Sequence, residues 1–280
     1  MHALVRRSRH GDPREGGCHI GDFYWALRAT PPDDPLADTR VWPNANGSLA
    51  AVAWLDPPNS GDAIVALNAD ASTLGQVLDW LENEQRANGR ASLSIVAQHG
   101  DTARMDALRQ RGYRQSTAGD VRLRCALGSA PTPVPLPEGF SLRHLSHDGD
   151  IERRVLVETS AFNTPVSPDR WRLLTQRLPT YQPTLDLIAV APDGIGASAC
   201  TCWYDEENHR GEIEAVGTAA QFRRQGVGRA VLTEGLRRLQ ALGATEAVLY
   251  TNIGNVASMA LYRSCGFEVI AEDYAWVKPL

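Results

Sequence analysis

The alternation of apolar and polar positions divides the chain into two runs of elements on either side of Ser129-Ala-Pro-Thr-Pro-Val-Pro-Leu-Pro-Glu-Gly139. Prolines at alternate positions fix φ and remove backbone donors, so this segment predicts a stiff, extended connection outside any ladder. Beyond it, Phe140–His144 predicts a strand and Asp150–Phe162 a helix. Ser167-Pro168-Asp169 launches a second helix, with Ser at the N-cap and Pro at the first helical position. Leu185–Ala191 and Ala197–Tyr204 read as strands about the Asp193-Gly194 turn, and Glu212–Val216 as a strand after the polar tip Asp205-Glu-Glu-Asn-His-Arg210. Ala230–Leu239 has a helical pattern that opens at Gly226, and Ala247–Thr251 reads as a strand. A short helix starts from Asn255, with Ala257, Leu261 and Cys265 at spacing four and Gly266 as its stop. Glu268–Val277 closes the series as a last apolar-polar stretch.

The first half repeats this order more faintly. Ser48–Leu55 and Ala63–Leu67 predict strands, Leu74–Glu84 an amphipathic helix with Leu74, Val77, Leu78 and Leu81 on one stripe, and Leu93–Ala97 a strand. Met105–Tyr113 follows, and its Arg111-Gly-Tyr113 echoes Cys265-Gly-Phe267. Together the elements predict an α/β fold of the α+β kind, a mixed sheet with helices, in two domains at 1–130 and 131–280.

Charge and cysteine usage narrow the partners. The net charge is −5 and no Lys/Arg cluster spans a helix face, which argues against nucleic acid and anionic membranes and favours a small neutral or cationic partner. Five cysteines without a Cys-x-x-Cys pair make neither a disulfide framework nor a zinc site, so no metal is expected and the compartment is a reducing one. The first ten residues lack the apolar core of a signal peptide and no apolar run has the length of a membrane span, so a cytoplasmic location is expected.

The chemistry concentrates late in the chain. Arg223-Arg-Gln-Gly-Val-Gly228 stands between a strand and a helix. A helix opening on two close glycines exposes its first amides, with the positive end of its dipole behind them, and such an end accepts phosphate. Asn255-Val-Ala-Ser-Met-Ala-Leu-Tyr262-Arg-Ser-Cys-Gly266-Phe267 follows at about thirty residues. In order and spacing the two segments resemble the signature motifs of the GNAT superfamily of acyl-CoA-dependent N-acetyltransferases.

The resemblance implies acetyl-CoA as cosubstrate. The backbone of Arg224, Gln225, Gly226, Val227, Gly228 and Arg229 would meet the pyrophosphate, with Arg223, Arg224 or Arg229 at the outer phosphate. Val216-Gly217-Thr218 falls where the family's sheet splays to take the pantetheine arm and thioester, Gly217 easing close approach. Asn255 either serves the cofactor arm or caps its helix. Acetyl transfer to an amine needs a base, oxyanion stabilisation and a proton for the thiolate. Glu212, eleven residues before Arg223, matches the family's general-base glutamate. Glu214 shares its strand face by the two-residue period and is the alternative base, and Tyr262 matches the tyrosine that protonates the departing thiolate. Cys200 and Cys202 read as buried small hydrophobes. The loop Phe162–Pro168 corresponds to one that overhangs the acceptor side in GNAT folds.

The repeat resembles a tandem GNAT plan known from mycothiol synthase and its uncharacterised relatives. Asn68–Gly75, which has one glycine and no arginine, stands where the first copy would need a phosphate loop, so only the second copy is expected to bind acetyl-CoA. The expectation is an acetyl-CoA-dependent N-acetyltransferase that acts by direct transfer on the primary amine of a small acceptor. The alternatives are acetylation of a cysteinyl sugar, as in mycothiol synthase, and a non-catalytic acetyl-CoA-binding regulator. The halves are expected to form an internal pseudo-dimer within a monomer or weak homodimer.

Overall fold

The computed structural model describes residues 2–7, 19–22, 38–56, 60–65, 71–146, 148–163, 167–169, 171–172, 178 and 180–280. The chain forms two compact units, one of Met1–Arg122, Tyr250–Asn255 and Val269–Leu280, the other of Leu123–Leu249 and Val256–Glu268. The units therefore do not follow the proline-rich boundary between 130 and 131: the last strand groups with the first unit, and Leu123–Ala130 with the second.

In the first unit α1 (His2–Arg7) precedes β1 (Thr39–Pro43), β2 (Leu49–Asp56), β3 (Ser60–Val65), α2 (Ala71–Ala87), β4 (Ser92–Gln98) and α3 (Thr102–Gln110). β1, β2 and β3 pair antiparallel in succession, and β3 pairs parallel with β4. β11 (Glu268–Pro279) joins β4 antiparallel, from Asp273↔Gln98 to Pro279↔Ser92, and this pairing carries the C-terminus into the first unit. Val77, Leu78 and Leu81 of α2 pack with Ala51, Ala53, Leu93, Ile95, Leu108 and Trp276, so the stripe expected from periodicity builds this unit's core.

β5 (Arg114–Ala126) is shared between the units, and the sequence reading contains no strand there. Its first half is polar. Val121, Leu123 and Cys125 are buried at a period of two, which is the part of the strand that alternation could have revealed. β1 and α1 were likewise not anticipated.

The second unit contains β6 (Ser141–His144), α4 (Asp148–Phe162), β7 (Asp186–Val190), β8 (Gly196–Asp205), β9 (Arg210–Thr218), α5 (Val227–Ala241), most of β10 (Glu246–Asn252) and α6 (Val256–Ser264). β6, β7, β8 and β9 pair antiparallel and β9 pairs parallel with β10, so the sheet is mixed. Two helices cover its opposite faces. Cys200 and Cys202 point to α5, where a Cβ on Gly235 would come within 2.6 Å of the Cys202 sulfur, while Thr201 between them bonds Arg154 of α4. Val231, Leu232, Leu236 and Leu239 of α5 are completely buried, each contributing about 1.5–3 kcal/mol of apolar burial. Trp171 donates its backbone N–H to the Ser167 carbonyl, and Pro168, Asp169, Trp171 and Arg172 are helical, as the Ser-Pro-Asp start predicts.

The two echoed tripeptides close their helices identically. Tyr113 N–H donates to the Leu108 carbonyl at 3.0 Å and Phe267 N–H to the Tyr262 carbonyl at 3.1 Å, with Gly112 at φ 84° and Gly266 at φ 88°. Residues 66–70, with most of the Asn68–Gly75 segment's approach, lie outside the described residues, while Gly75 itself sits inside α2 and its carbonyl accepts from Arg111 at 3.0 Å.

Candidate active site

Two irregularities in β9 open the sheet. The parallel pairing with β10 runs Arg210↔Glu246, Gly211↔Ala247 and Glu212↔Val248, and β9 continues to Thr218 beyond it. On its other edge the register with β8 shifts: Cys202 pairs with Ile213 but Cys200 with Val216, so Thr201 alone spans Glu214 and Ala215. This is a β-bulge, which bends its strand and withdraws backbone groups from the ladder. Glu212 therefore sits at the last parallel pair, with the bulge beginning two residues on at Glu214.

The α5 N-terminus faces the end of that strand. A 3-10 turn at Ala220–Phe222 leads into Arg224 at φ 63° and Gly226 at φ 81°, the N-cap of α5. Helix geometry leaves the amides of Val227, Gly228 and Arg229 without intrahelical acceptors, and the first closing bond is Ala230 N–H to the Gly226 carbonyl at 3.0 Å. A Cβ at Gly226 would meet nothing within 4 Å, and Arg224, Gln225, Gly226 and Arg229 are exposed, so the cradle is open and positive. These groups fit a pyrophosphate.

Three of the expected residues also make contacts within the protein. Arg223 turns back, its guanidinium donating to the Thr218 and Ala161 carbonyls at 3.3 and 3.2 Å, so it ties the loop to β9 and α4. The missing side chain of Gly217 makes room for α4: a Cβ there would stand 2.8 Å from Ala161 Cβ and 3.2 Å from the Phe162 ring. Gly228 lacks a side chain for packing, because its Cβ would fall 2.7 Å from Thr218 Oγ1. That oxygen shares a 3.0 Å hydrogen bond with Ser198, whose hydroxyl also donates to the Gly217 carbonyl at 2.7 Å. Ser198 and Ser160, which accepts from Ala220 N–H at 3.1 Å, escaped the sequence reading since only strand pairing and helix docking bring them here.

Glu212 is completely buried. Gly211 faces Leu239 of α5, so alternation turns Glu212 to the α4 face, where its cross-strand partner is Trp203. Glu214 lies in the bulge and is half-buried, so the strict two-residue period that put both carboxylates on one face ends between them. Tyr262, at the end of the second turn of α6, is buried against Phe267 with ring centroids 6.0 Å apart. Burial, reinforced by the nearby Glu214 carboxylate, raises its hydroxyl pKa above the ordinary 10.0 against the opposing Ser258 hydrogen bond. The phenol thus keeps its proton through neutral and mildly alkaline pH. Asn255 is exposed and directly precedes α6, and its amide donates to the Asn252 carbonyl at 2.9 Å. The acceptor-side loop 164–166 lies outside the described residues.

Cys200 and Cys202 are buried free thiols with sulfurs 3.7 Å apart, as packing residues would be. Beyond them, on the α4 face, lies a charged cluster that the sequence did not announce. Arg154, 1% exposed, pairs with Glu158 at 2.9 Å and Asp186 at 3.3 Å and lies 4.5 Å from the Trp171 ring centre. Burial disfavours its charge, but the two carboxylates outweigh that and hold its pKa above the ordinary arginine value. Among the described residues no helix is long and apolar enough to cross a membrane.

Residues 160–267 match the acetyltransferase (GNAT) family. Over 246 residues the chain is 30% identical to a mycothiol acetyltransferase of Kineococcus radiotolerans, covering 81% of this chain and 77% of that one. It is 28% identical to a mycothiol acetyltransferase of Frankia casuarinae, over 89% of this chain and 79% of the relative. Among solved structures, a tandem GNAT protein from the clavulanic acid biosynthesis pathway superposes with TM-score 0.72 at 15% identity, covering 99% of this chain and 93% of the other. A GCN5-related N-acetyltransferase from Sphaerobacter thermophilus gives TM-score 0.66 at 22% identity, over 86% and 80% of the two chains.

Proposed function

This chain belongs to the GNAT acetyltransferase family, with acetyl-CoA as cosubstrate, and on that premise we propose that it acetylates the primary amine of a small acceptor by direct transfer, with a cysteinyl sugar as the first acceptor to test. The observation that carries the transfer reading is the placement of the completely buried Glu212 at the last β9–β10 pair, next to a bulge and ahead of an open phosphate cradle. The acceptor class is supported by the names of the relatives matched over most of both chains.

In this reading the amides from Arg224 to Arg229 hold the pyrophosphate, with Arg224 and Arg229 available to the outer phosphate because the Arg223 guanidinium is already bonded. Acetyl-CoA supplies the activated acetyl thioester. Glu212 accepts the proton of the acceptor ammonium, directly or through water, with Glu214 the alternative. The backbone at Val216, paired with Cys200 on β8 but past the last β10 pair on its other edge, donates toward the oxygen on which charge develops. The Tyr262 hydroxyl donates toward the departing sulfur. Among the described residues the first half differs at two of these points: Leu108 stands where the helix closure of the second half carries Tyr262, and Gly75 is helical.

Free thiol released from acetyl-CoA, with a cysteinyl aminosugar compared against simple primary amines, tests the reading. Glu212→Gln should lower kcat/KM by about two to four decades while acetyl-CoA still binds. If Glu214→Gln shows the loss instead, the base is Glu214. Full activity in both variants rules out general-base catalysis by either carboxylate.

A further inference from the structure

The acetyl-transfer scheme leaves one buried polar chain of the second unit unused, and that chain ends on the bulge. The Trp203 indole, which has a donor and no acceptor, sits in a residue 2% exposed and donates to the Glu214 carbonyl at 2.8 Å. Glu214 is one of the two residues that face Thr201 alone, so this indole takes up a bulge carbonyl. The Trp203 ring stands edge-on to Tyr181, centroids 6.2 Å apart, and the Tyr181 hydroxyl donates to Asp186 Oδ2 at 3.0 Å. Asp186 Oδ1 accepts from the Thr201 hydroxyl at 3.0 Å, and Arg154 donates to that same hydroxyl at 3.0 Å. Both sides of the bulge, the Glu214 carbonyl on β9 and Thr201 on β8, are thereby tied to one buried cluster of Arg154, Asp186 and Glu158.

We propose that Trp203 is a positioning residue for acetyl transfer, its indole N–H fixing the bulge that sets Glu212, Glu214 and the Val216 backbone, with Thr201 as the anchor on the opposing strand. The inference rests on the acetyl-transfer reading. Buried ion pairs gain little net stability over apolar packing, whereas a cluster with every member bonded holds one geometry. A bulge is the part of a sheet with the fewest ladder bonds to hold it, so side-chain anchors on both strands fix what the ladder does not. The phosphate cradle stands on the α5 N-terminus and does not use these anchors, so loss of the indole bond should separate turnover from cosubstrate binding.

Trp203→Phe keeps an aromatic ring and removes the donor; Thr201→Val keeps the shape and removes the hydroxyl. Thiol release and calorimetric titration with acetyl-CoA are measured for the full chain and both variants, with thermal unfolding as the check on folding. The expected result is a kcat about ten- to a hundredfold lower in each variant with acetyl-CoA affinity unchanged, since small misplacements of reacting groups cost that much. Unchanged kcat in either folded variant overturns the proposal, as does a loss of acetyl-CoA affinity in step with kcat, which would indicate general loosening. If Trp203→Phe does not fold, Thr201→Val alone decides. Absence of thiol release by the parent chain defeats the acetyl-transfer reading and this one with it, whereas an active parent with equally active variants defeats this one only.

Discussion

Gly228→Ala tests whether the second glycine of the loop serves packing or the phosphate. The new methyl would lie 2.7 Å from Thr218 Oγ1, well inside contact distance, and that oxygen is held by the 3.0 Å bond to Ser198. Forcing it aside costs about 1–3 kcal/mol of overpacking. Breaking the hydroxyl pair adds about 1 kcal/mol. Alanine in place of glycine returns up to about 1 kcal/mol of helix propensity. The balance is a destabilisation of about 2 kcal/mol, or about 4–8 °C in Tm for a chain of this size. Thr218→Ala removes the obstructing oxygen, so the double variant should recover much of the loss, with a coupling of about 1–2 kcal/mol in the cycle. Thermal unfolding of the four proteins measures the coupling, and titration with acetyl-CoA should show the double variant regaining the parent's affinity. Additive losses would refute the steric reasoning. Restored stability with persistently weak acetyl-CoA binding would assign Gly228 to the phosphate instead.

Titration should give one acetyl-CoA site per chain, abolished by Gly226→Asp, which sets a carboxylate at the helix end proposed to receive the phosphates; two sites would refute a single functional copy. Tyr262→Phe should lower kcat by about two decades or more with acetyl-CoA binding retained. Because the Tyr262 pKa is raised above 10.0, the phenol remains a donor as pH rises and the parent's kcat should show no descending limb below that value; a limb near pH 8 that vanishes in Tyr262→Phe would contradict this. Burial alone would raise the Asp150 carboxyl, but bonds from Arg143, the closest at 2.8 Å, and the nearby Arg153 charge bring its pKa below 3.8. Its stabilising contribution is thus present above that value and lost as pH falls through the depressed folded-state pKa. Arg143→Met should move the acid-unfolding midpoint to higher pH, and an unchanged midpoint would show that the pair carries no linkage.

Much of the fold was legible because its signals are local. The α2 stripe of Leu74, Val77, Leu78 and Leu81 comes from the helical period alone, and three of the four are completely buried. Gly226 and Gly266 were legible as punctuation because positive φ favours glycine, and both adopt it. β5 was not legible over its polar first half, since a strand there is stabilised by neighbours that the local pattern does not name. The cut at the proline-rich segment is likewise a local reading, and strand pairing is what groups β11 with β4.

At the site the division has the same physical origin. The order of strand, glycine loop and helix, and the tyrosine helix that follows, are consequences of local propensity, so the sequence alone pointed to the loop proposed to take phosphate and to the Glu and Tyr residues to examine. Whether a glycine makes room for ligand or for protein depends on what stands against it, and only the tertiary structure decided that Gly217 is filled by Ala161 and Phe162 and Gly228 by Thr218. Two residues that a two-residue period treats alike, Glu212 and Glu214, became different because a register shift with β8 falls directly after Ile213. A register shift is a property of two strands together. For the same reason the Trp203 indole bond to the bulge appears only once β8 and β9 pair in their shifted register, and the Arg154–Asp186 cluster behind it only once α4 docks on the sheet.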